Sequence, residues 1–520
     1  MYENVKGKWI ADLGNGKYKN PILFSDYSDP DVIRVGNDFF MVASSFTYFP
    51  GVPVLHSTDL VNWKLISYAV EKMPLDKYSK PCHGMGVWAP SIRYHDNKFW
   101  VYFGDPDEGI FMANTENPFG KWNDTVCVAK SKGWIDTCPF WDDDGNAYLI
   151  RGVAKSRIGY KSKLFLHKMS ADGTKLLDDG VLVFDGRINH PTLEGPKMYK
   201  RNGYYYIFAP AGGVQTGWQM VARSKNIYGP YEHKVVMWQG DSPINGPHQG
   251  GLIDMDNGES WFIHFQDLEG YGRITHLQPA KWTDDDWIEM GVDTNNDHIG
   301  EPVLEYTKPA NCQSQVIAPV DSDDFKGDKL NLQWQWQAYP QDNFYKMTGN
   351  GIRLYALPYD GNNISQAANV LCELMTRPNF EVTTKINMHL LENDSCGIVI
   401  TGGSYYGLRI ENGLIKQVSF ELEKDKETNE VVKSEKELSF KTVYLKLKVS
   451  YLCNIDCFVS TDGINYERIG DTLKYKVSRK SWVGGKIGIF AVNNKGKNNG
   501  GYADFEYIKV DWYFWDIMKI

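Results

Sequence analysis

Three acidic residues stand at comparable points of well-separated segments: Asp29 in SDPDVIRVG, Asp136 in WIDTCPFW and Glu194 in TLEGPKMYK. A fourth segment, GPHQGGLID, carries His248 at the matching point. Carboxylates crowded together repel one another and lose hydration, so structural need is a poor reason to align three of them. A single Asp at such a place serves equally well as a turn cap; three in register ask for chemistry. Two carboxyl groups of different kind suit cleavage of a glycosidic bond. One, protonated, releases the leaving oxygen; the other, ionised, activates water. Like-charge proximity raises the pKa of the acid, and a third carboxylate tunes it further. Residue type alone does not say which of the three takes which role.

Something must bring these residues together. Five segments share one plan of a short apolar strand, an Asp/Asn/Gly turn and an aromatic-rich strand: DPDVIRVGNDFFMVASS, APSIRYHDNKFWVYFG, DTCPFWDDDGNAYLIRG, EGPKMYKRNGYYYIFAP and HQGGLIDMDNGESWFIHF. They start at Asp29, Ala89, Asp136, Glu194 and His248, and are 60, 47, 58 and 54 residues apart. Such spacing fits four-stranded blades with variable loops. STDLVNWKLI, NPFGKWND, SKNIYGPYEHKV and TDDDWIEMG read as outer strands of these blades. The pattern predicts an all-β chain whose residues 1–310 form a five-bladed β-propeller. Inner strands of a propeller start at the central channel, so the five starts converge on one axial pocket. A jelly roll does not explain a unit repeated five times.

The repeat fades after Gly300, and residues 306–322 read as a Pro-containing connection. Residues 320–520 alternate as in NFEVTTKINMHL and VYLKLKVSYL, which predicts a C-terminal β-sandwich. The charge-dense run from Phe420 to Phe440 reads as a solvated hairpin. Trp334 and Trp336 alternate around a Gln and are assigned to the sandwich core. The Asp142–Asp144 run reads as a hairpin turn and not as a calcium loop.

Composition narrows the function. The net charge is −9 with no basic stripe, which argues against nucleic acid or an anionic membrane as partner. Aromatic residues make up 14%, and their flat faces with polar edges suit both sheets and sugar rings. No apolar run spans a bilayer and no signal peptide is visible. The eight scattered Cys read as buried free thiols, which leans toward a cytoplasmic location. Nothing in the pattern specifies an oligomeric state.

Taken with its neighbours, each motif resembles glycoside hydrolase family 43, in particular the two-domain β-xylosidases and α-L-arabinofuranosidases. NPILFSDYSDPDVIRVG, WAPSIRYHDNKFWVYFGDPDEGIF, WIDTCPFWDDDG, TLEGPKMYK, GPHQGGLID and YGRITHLQPAKW carry the resemblance in the first domain. FKGDKLNLQWQWQ, LMTRPNFEVTTKI, CGIVITGGSYYGLRI and YADFEYIKV carry it in the second, which the resemblance makes a concanavalin-like jelly roll with a loop near the pocket rim. It implies Asp29 as general base, Glu194 as general acid and Asp136 as the residue that orients and tunes the acid. Trp88, Arg273, Phe46 and Ile135 are implied at the sugar.

His248 has two readings under the resemblance. It either takes part in holding a central Ca2+ or hydrogen-bonds the catalytic carboxylates; one His without an oxygen-ligand loop disfavours a directly held metal. No cofactor is required. Two features depart from the family pattern, APAGG at Ala209–Gly213 and Ile135 where Phe is frequent. Both bear on the choice between xylose and arabinofuranose. Fructan hydrolases share the architecture but carry other motifs, so they are set aside. The implied activity is release of terminal β-D-xylose from xylo-oligosaccharides with inversion. Arabinofuranosidase or dual activity is the alternative, and a non-catalytic carbohydrate-binding propeller is the rival from another class. Inversion leaves room for a water, so roughly 6.5–9.5 Å is expected between the Asp29 and Glu194 carboxyl groups.

Overall fold

The computed structural model describes residues 6–310, 312, 314–423, 428–478, 480–494 and 500–512. Two-residue turns organise its first half. Asp96–Asn97 and Asn202–Gly203 each place both central residues at positive φ, the conformation that matches the twist of a β-hairpin. These hairpins build five four-stranded antiparallel sheets. Their inner strands are Asp31–Val35, Trp88–His95, Trp134–Trp141, Lys197–Arg201 and His248–Asp254, in blades I to V. The expected propeller is therefore observed.

Blade strands bury both faces. In blade I, Phe39 and Met41 join Ile253, Trp261 and Leu277 of blade V, while Phe40 and Val42 join Ile92, Phe99 and Val101 of blade II. Burial on two sides explains why these strands read as apolar runs without alternation. The ring is closed by the N-terminal segment. Lys17–Lys19 pairs with Glu305–Thr307, and Asn20 Nδ2 donates to the carbonyls of Leu277 and Val303, at 2.8 Å each. Tyr306 and Thr307, read from sequence as connection, thus belong to the closing strand. NPFGKWND is likewise not an outer strand: it precedes the outer strand of blade II, Val126–Lys130.

The second half is a sandwich of an eight-stranded and a seven-stranded sheet. Ile398, Ile400, Leu408 and Ile489 of one sheet meet Val382, Ile386, Leu445 and Leu447 of the other in one core. Trp334 and Trp336 lie in it, as expected. Propeller residues Trp9, Phe24 and Tyr271 extend that core across the seam, so the two halves are packed together and not strung on a linker. The charged run from Phe420 to Phe440 supplies only the exposed second strand of a hairpin, Val431–Glu437, whose partner Leu414–Phe420 ends where the run begins and is mostly buried; residues 424–427 lie outside the described residues. Asp142–Gly145 is a hairpin turn closed by Gly145 N–H to Asp142 O at 3.1 Å. All eight Cys are unpaired, and five are buried.

Candidate active site

Each inner strand is kinked where it meets the axis. The backbone enters the left-handed region at Asp29 (φ 54°), Ala89 (32°), Asp136 (57°), Gly195 (58°) and Gln249 (40°). In blades II, III and V the kink coincides with a register shift, between Trp88 and Ser91, Ile135 and Cys138, and His248 and Gly250. A bulge takes a side chain out of the strand's alternation and re-aims it. The kink is therefore the true repeat of the fold. In blades I and III it carries a carboxylate, whereas in blades IV and V it follows Glu194 and His248. The sequence alignment of the five starts is corrected by one residue in those two blades. Gly195 has a double reason to be glycine, since a Cβ there would lie 2.9 Å from the Gln249 side chain.

These kinks surround a cavity of about 310 Å3. Asp29, Phe46, Trp88, Ile135, Asp136, Glu194, His248 and Arg273 all line it. Asp29 is buried. Its Oδ2 accepts hydrogen bonds from Ser28 Oγ (2.8 Å) and Ser44 Oγ (2.7 Å), and its Oδ1 pairs with Arg273 Nη1 at 2.9 Å. Both oxygens are thus fixed in orientation. Burial works against the charge of Arg273, but Asp29, Asp267, Asp26 and Glu194 together raise its pKa above the ordinary value.

Asp136 accepts the Gly195 N–H at 2.8 Å through Oδ2. It therefore holds the peptide beside Glu194 and not the Glu194 carboxyl itself. Burial, then the Glu194 carboxylate and Asp29, push Asp136 up to about 8. Near neutrality Asp136 therefore keeps its proton. Glu194 Oε1 lies 2.9 Å from His248 Nε2. The other ring nitrogen, Nδ1, is buried without a partner. With Glu194 ionised, His248 carries its proton on Nε2 and donates it to the carboxylate. Of the two readings of His248, the hydrogen bond to one of the three pocket carboxyl groups, Glu194, is the one the geometry displays. Among the described residues no three His, Cys, Asp or Glu side chains come together as metal ligands. One imidazole nitrogen does not fit directly held Ca2+, which takes six to eight oxygens.

The walls are aromatic. Trp88 stands edge-on to Phe46 at 6.1 Å between ring centroids and to Trp482 at 6.0 Å. Tyr48 and Phe49, from the same loop as Phe46, are fully buried core residues. Trp482 comes from the sandwich. Its loop is pinned by Gly484 N–H to Asp26 Oδ2 (2.8 Å) and by Gly485 N–H to Gly270 O (2.7 Å). Asp26 Oδ1 takes the Arg273 N–H at 2.8 Å. One buried carboxylate therefore holds both the backbone of Arg273 and the loop of the other domain. Trp482, Gln249 and the rim residues Lys155 and Lys161 were missed by sequence reasoning. For Trp482 the signal was the Trp before a Gly-Gly pair in SWVGG.

The model of glycosyl hydrolases family 43 matches residues 18–288, more than half of the chain. The chain belongs to glycoside hydrolase family 43. A second model, the β-xylosidase C-terminal concanavalin A-like domain, matches residues 322–511. A protein of Xylanibacter ruminicola named "Putative beta-xylosidase" is 39% identical over 94% of this chain and 88% of its own length. The non-reducing end alpha-L-arabinofuranosidase BoGH43B of Bacteroides ovatus is 29% identical over 96% of each chain. Among solved structures, the GH43 protein BlXynB of Bacillus licheniformis superposes with TM-score 0.83 at 26% identity, covering 96% of this chain and 100% of its own. As a family 43 glycoside hydrolase the chain is an enzyme acting on carbohydrate.

Proposed function

We propose that this family 43 enzyme removes single pentose units from the non-reducing end of xylan-type oligosaccharides, with inversion, as a β-xylosidase. The observation that carries this reading is the pocket itself. Three carboxyl groups from three blades line a cavity of about 310 Å3 that Trp482 walls from the second domain, which leaves room for little more than one sugar ring. Both the 39%-identical relative's name and the matched C-terminal domain support xylose as the sugar.

In this reading Asp29 takes a proton from a water at the anomeric carbon, and its fixed oxygens present one lone pair to that water. Glu194 gives its proton to the leaving oxygen, and the new carboxylate is received by His248 Nε2–H. Asp136 keeps the Gly195 peptide beside Glu194 in place. Arg273 and Trp88 grip the ring. Proton transfers between side chains and water suffice, and no organic cofactor takes part. α-L-Arabinofuranosidase activity is the second reading, supported by the name of the 29%-identical relative.

Nitrophenyl xyloside and nitrophenyl arabinofuranoside, assayed side by side, separate the two. Proton NMR of xylobiose cleavage is expected to show α-xylose first. Release from neither aryl glycoside, or β-xylose as the first anomer, overturns the proposal.

A further inference from the structure

A second hollow, of about 350 Å3, lies in the seam between propeller and sandwich. It shares no lining residue with the axial pocket. Tyr27, Trp63 and Tyr68 of the propeller form aromatic walls, and the sandwich supplies Gln333, Gln335 and Lys486. Two groups here lack what burial demands. Ser25 lines the hollow and is 1% exposed, and its Oγ has no hydrogen-bond partner. Lys486 is 5% exposed and its ammonium sits 4.8 Å over the Tyr48 ring, with no hydrogen bond or ion pair among the described residues. Buried donors left without acceptors are costly, and oxygen atoms of an occupant would relieve both.

The chemistry of the walls selects among occupants. Asp26, which also lines the hollow, offsets the Lys486 charge, so an anion is not called for. Flat aromatic faces beside hydroxyl, ammonium and carboxamide groups suit a small polyol ring. The volume is close to that of the axial pocket. We infer that the seam hollow is a second carbohydrate site, which takes a free neutral monosaccharide of the size released at the propeller axis, with its hydroxyls at Lys486 and Ser25. The choice of sugar rests on the proposed pentosidase activity; the existence of the site does not. Two wall residues also belong to the axial network, since Ser44 donates to Asp29 and Asp26 accepts from Arg273 and Gly484. An occupant therefore touches side chains that hold the base and the Trp482 loop.

Equilibrium dialysis of the full chain against labelled D-xylose counts the sites. Wild type is expected to bind two equivalents. Leu332 stands among the lining residues and is 45% exposed, so Leu332→Trp is expected to block the hollow and leave one equivalent, with the thermal unfolding transition confirming a folded protein. A wild-type count of none, or a count that Leu332→Trp does not change, overturns the inference. A wild-type crystal soaked in D-xylose reads the same question without a substitution: sugar between Trp63 and Lys486 supports it, and sugar confined to the axis overturns it. The outcomes are separable from those of the catalytic proposal. Loss of one equivalent in Leu332→Trp, with no cleavage of either aryl glycoside by wild type, keeps the seam site and discards the pentosidase reading.

Discussion

The axial end of the propeller and the sheets of the sandwich treat buried acids in opposite ways. In the sandwich, Asp394–Thr401 pairs residue for residue with Lys486–Asn493 on one side, and Ser395–Gly402 does so with Ser404–Glu411 on the other. Its buried Asp394 accepts Leu391 N–H at 2.8 Å and Asn493 Nδ2 at 2.7 Å, and nothing remains for a substrate. At the propeller axis, Asp136 takes one peptide N–H, sits on a kink at positive φ and faces a cavity beside another carboxyl group. Sheets neutralise polar groups by pairing them; interruptions of sheets leave them available.

The sharpest way to break this comparison is to remove acids from both regions. Glu194→Ala and Asp29→Asn are expected to lower kcat/KM on xylo-oligosaccharides by about 10²–10⁴-fold, whereas Asp394→Asn is expected to change Tm and leave kcat within a few-fold. Equal kinetic losses would erase the distinction. Next in size is Gly195→Ala. Strain at φ 58° and the contact with Gln249 shift the peptide that Asp136 holds, and about a 10²-fold loss in kcat with little change in KM is expected from misplacing the acid. Trp482→Ala probes the sandwich side chain that lines the pocket among the described residues. Loss of an aromatic contact worth about 1 kcal/mol raises KM roughly five-fold to tenfold in steady-state assays.

Asp136 sharpens the comparison through stability instead. Its folded pKa of about 8 lies above the ordinary 3.8, so its protonated form favours folding. That contribution is complete below pH about 4 and is lost as pH rises through about 8. Tm is expected to decline over this window in wild type, and Asp136→Asn to flatten the decline. Asp136 lies beside Glu194 in the pocket, so its ionisation is expected to put a limb in the kcat profile near pH 8.

How far the sequence carried follows from the same contrast. Turn residues and aromatic strands repeat along the chain, so the blades and the starts that hold Asp29 and Asp136 were legible. The one-residue offset at Glu194 and His248 was not, because a bulge is a backbone event and Gly195 and Gln249 leave no periodic mark. Outer strands were less legible than inner ones, as NPFGKWND shows, because an edge strand has fewer neighbours to dictate its pattern. Trp482 was out of reach for another reason. It meets Trp88 across nearly 400 residues of chain, and only the seam packing places the loop that bears it.

Asp26 ties these regions together, and the tie has a practical side for anyone wishing to trim the molecule. One of its oxygens accepts the Arg273 backbone N–H and the other a glycine amide 458 residues away. A propeller expressed without the downstream half would keep Asp29, Asp136 and Glu194 but lose the Gly484 partner of Asp26 and the Trp482 wall of the pocket. Catalytic domain is thus a convenient label for the first 310 residues, but the working unit is the uncut chain.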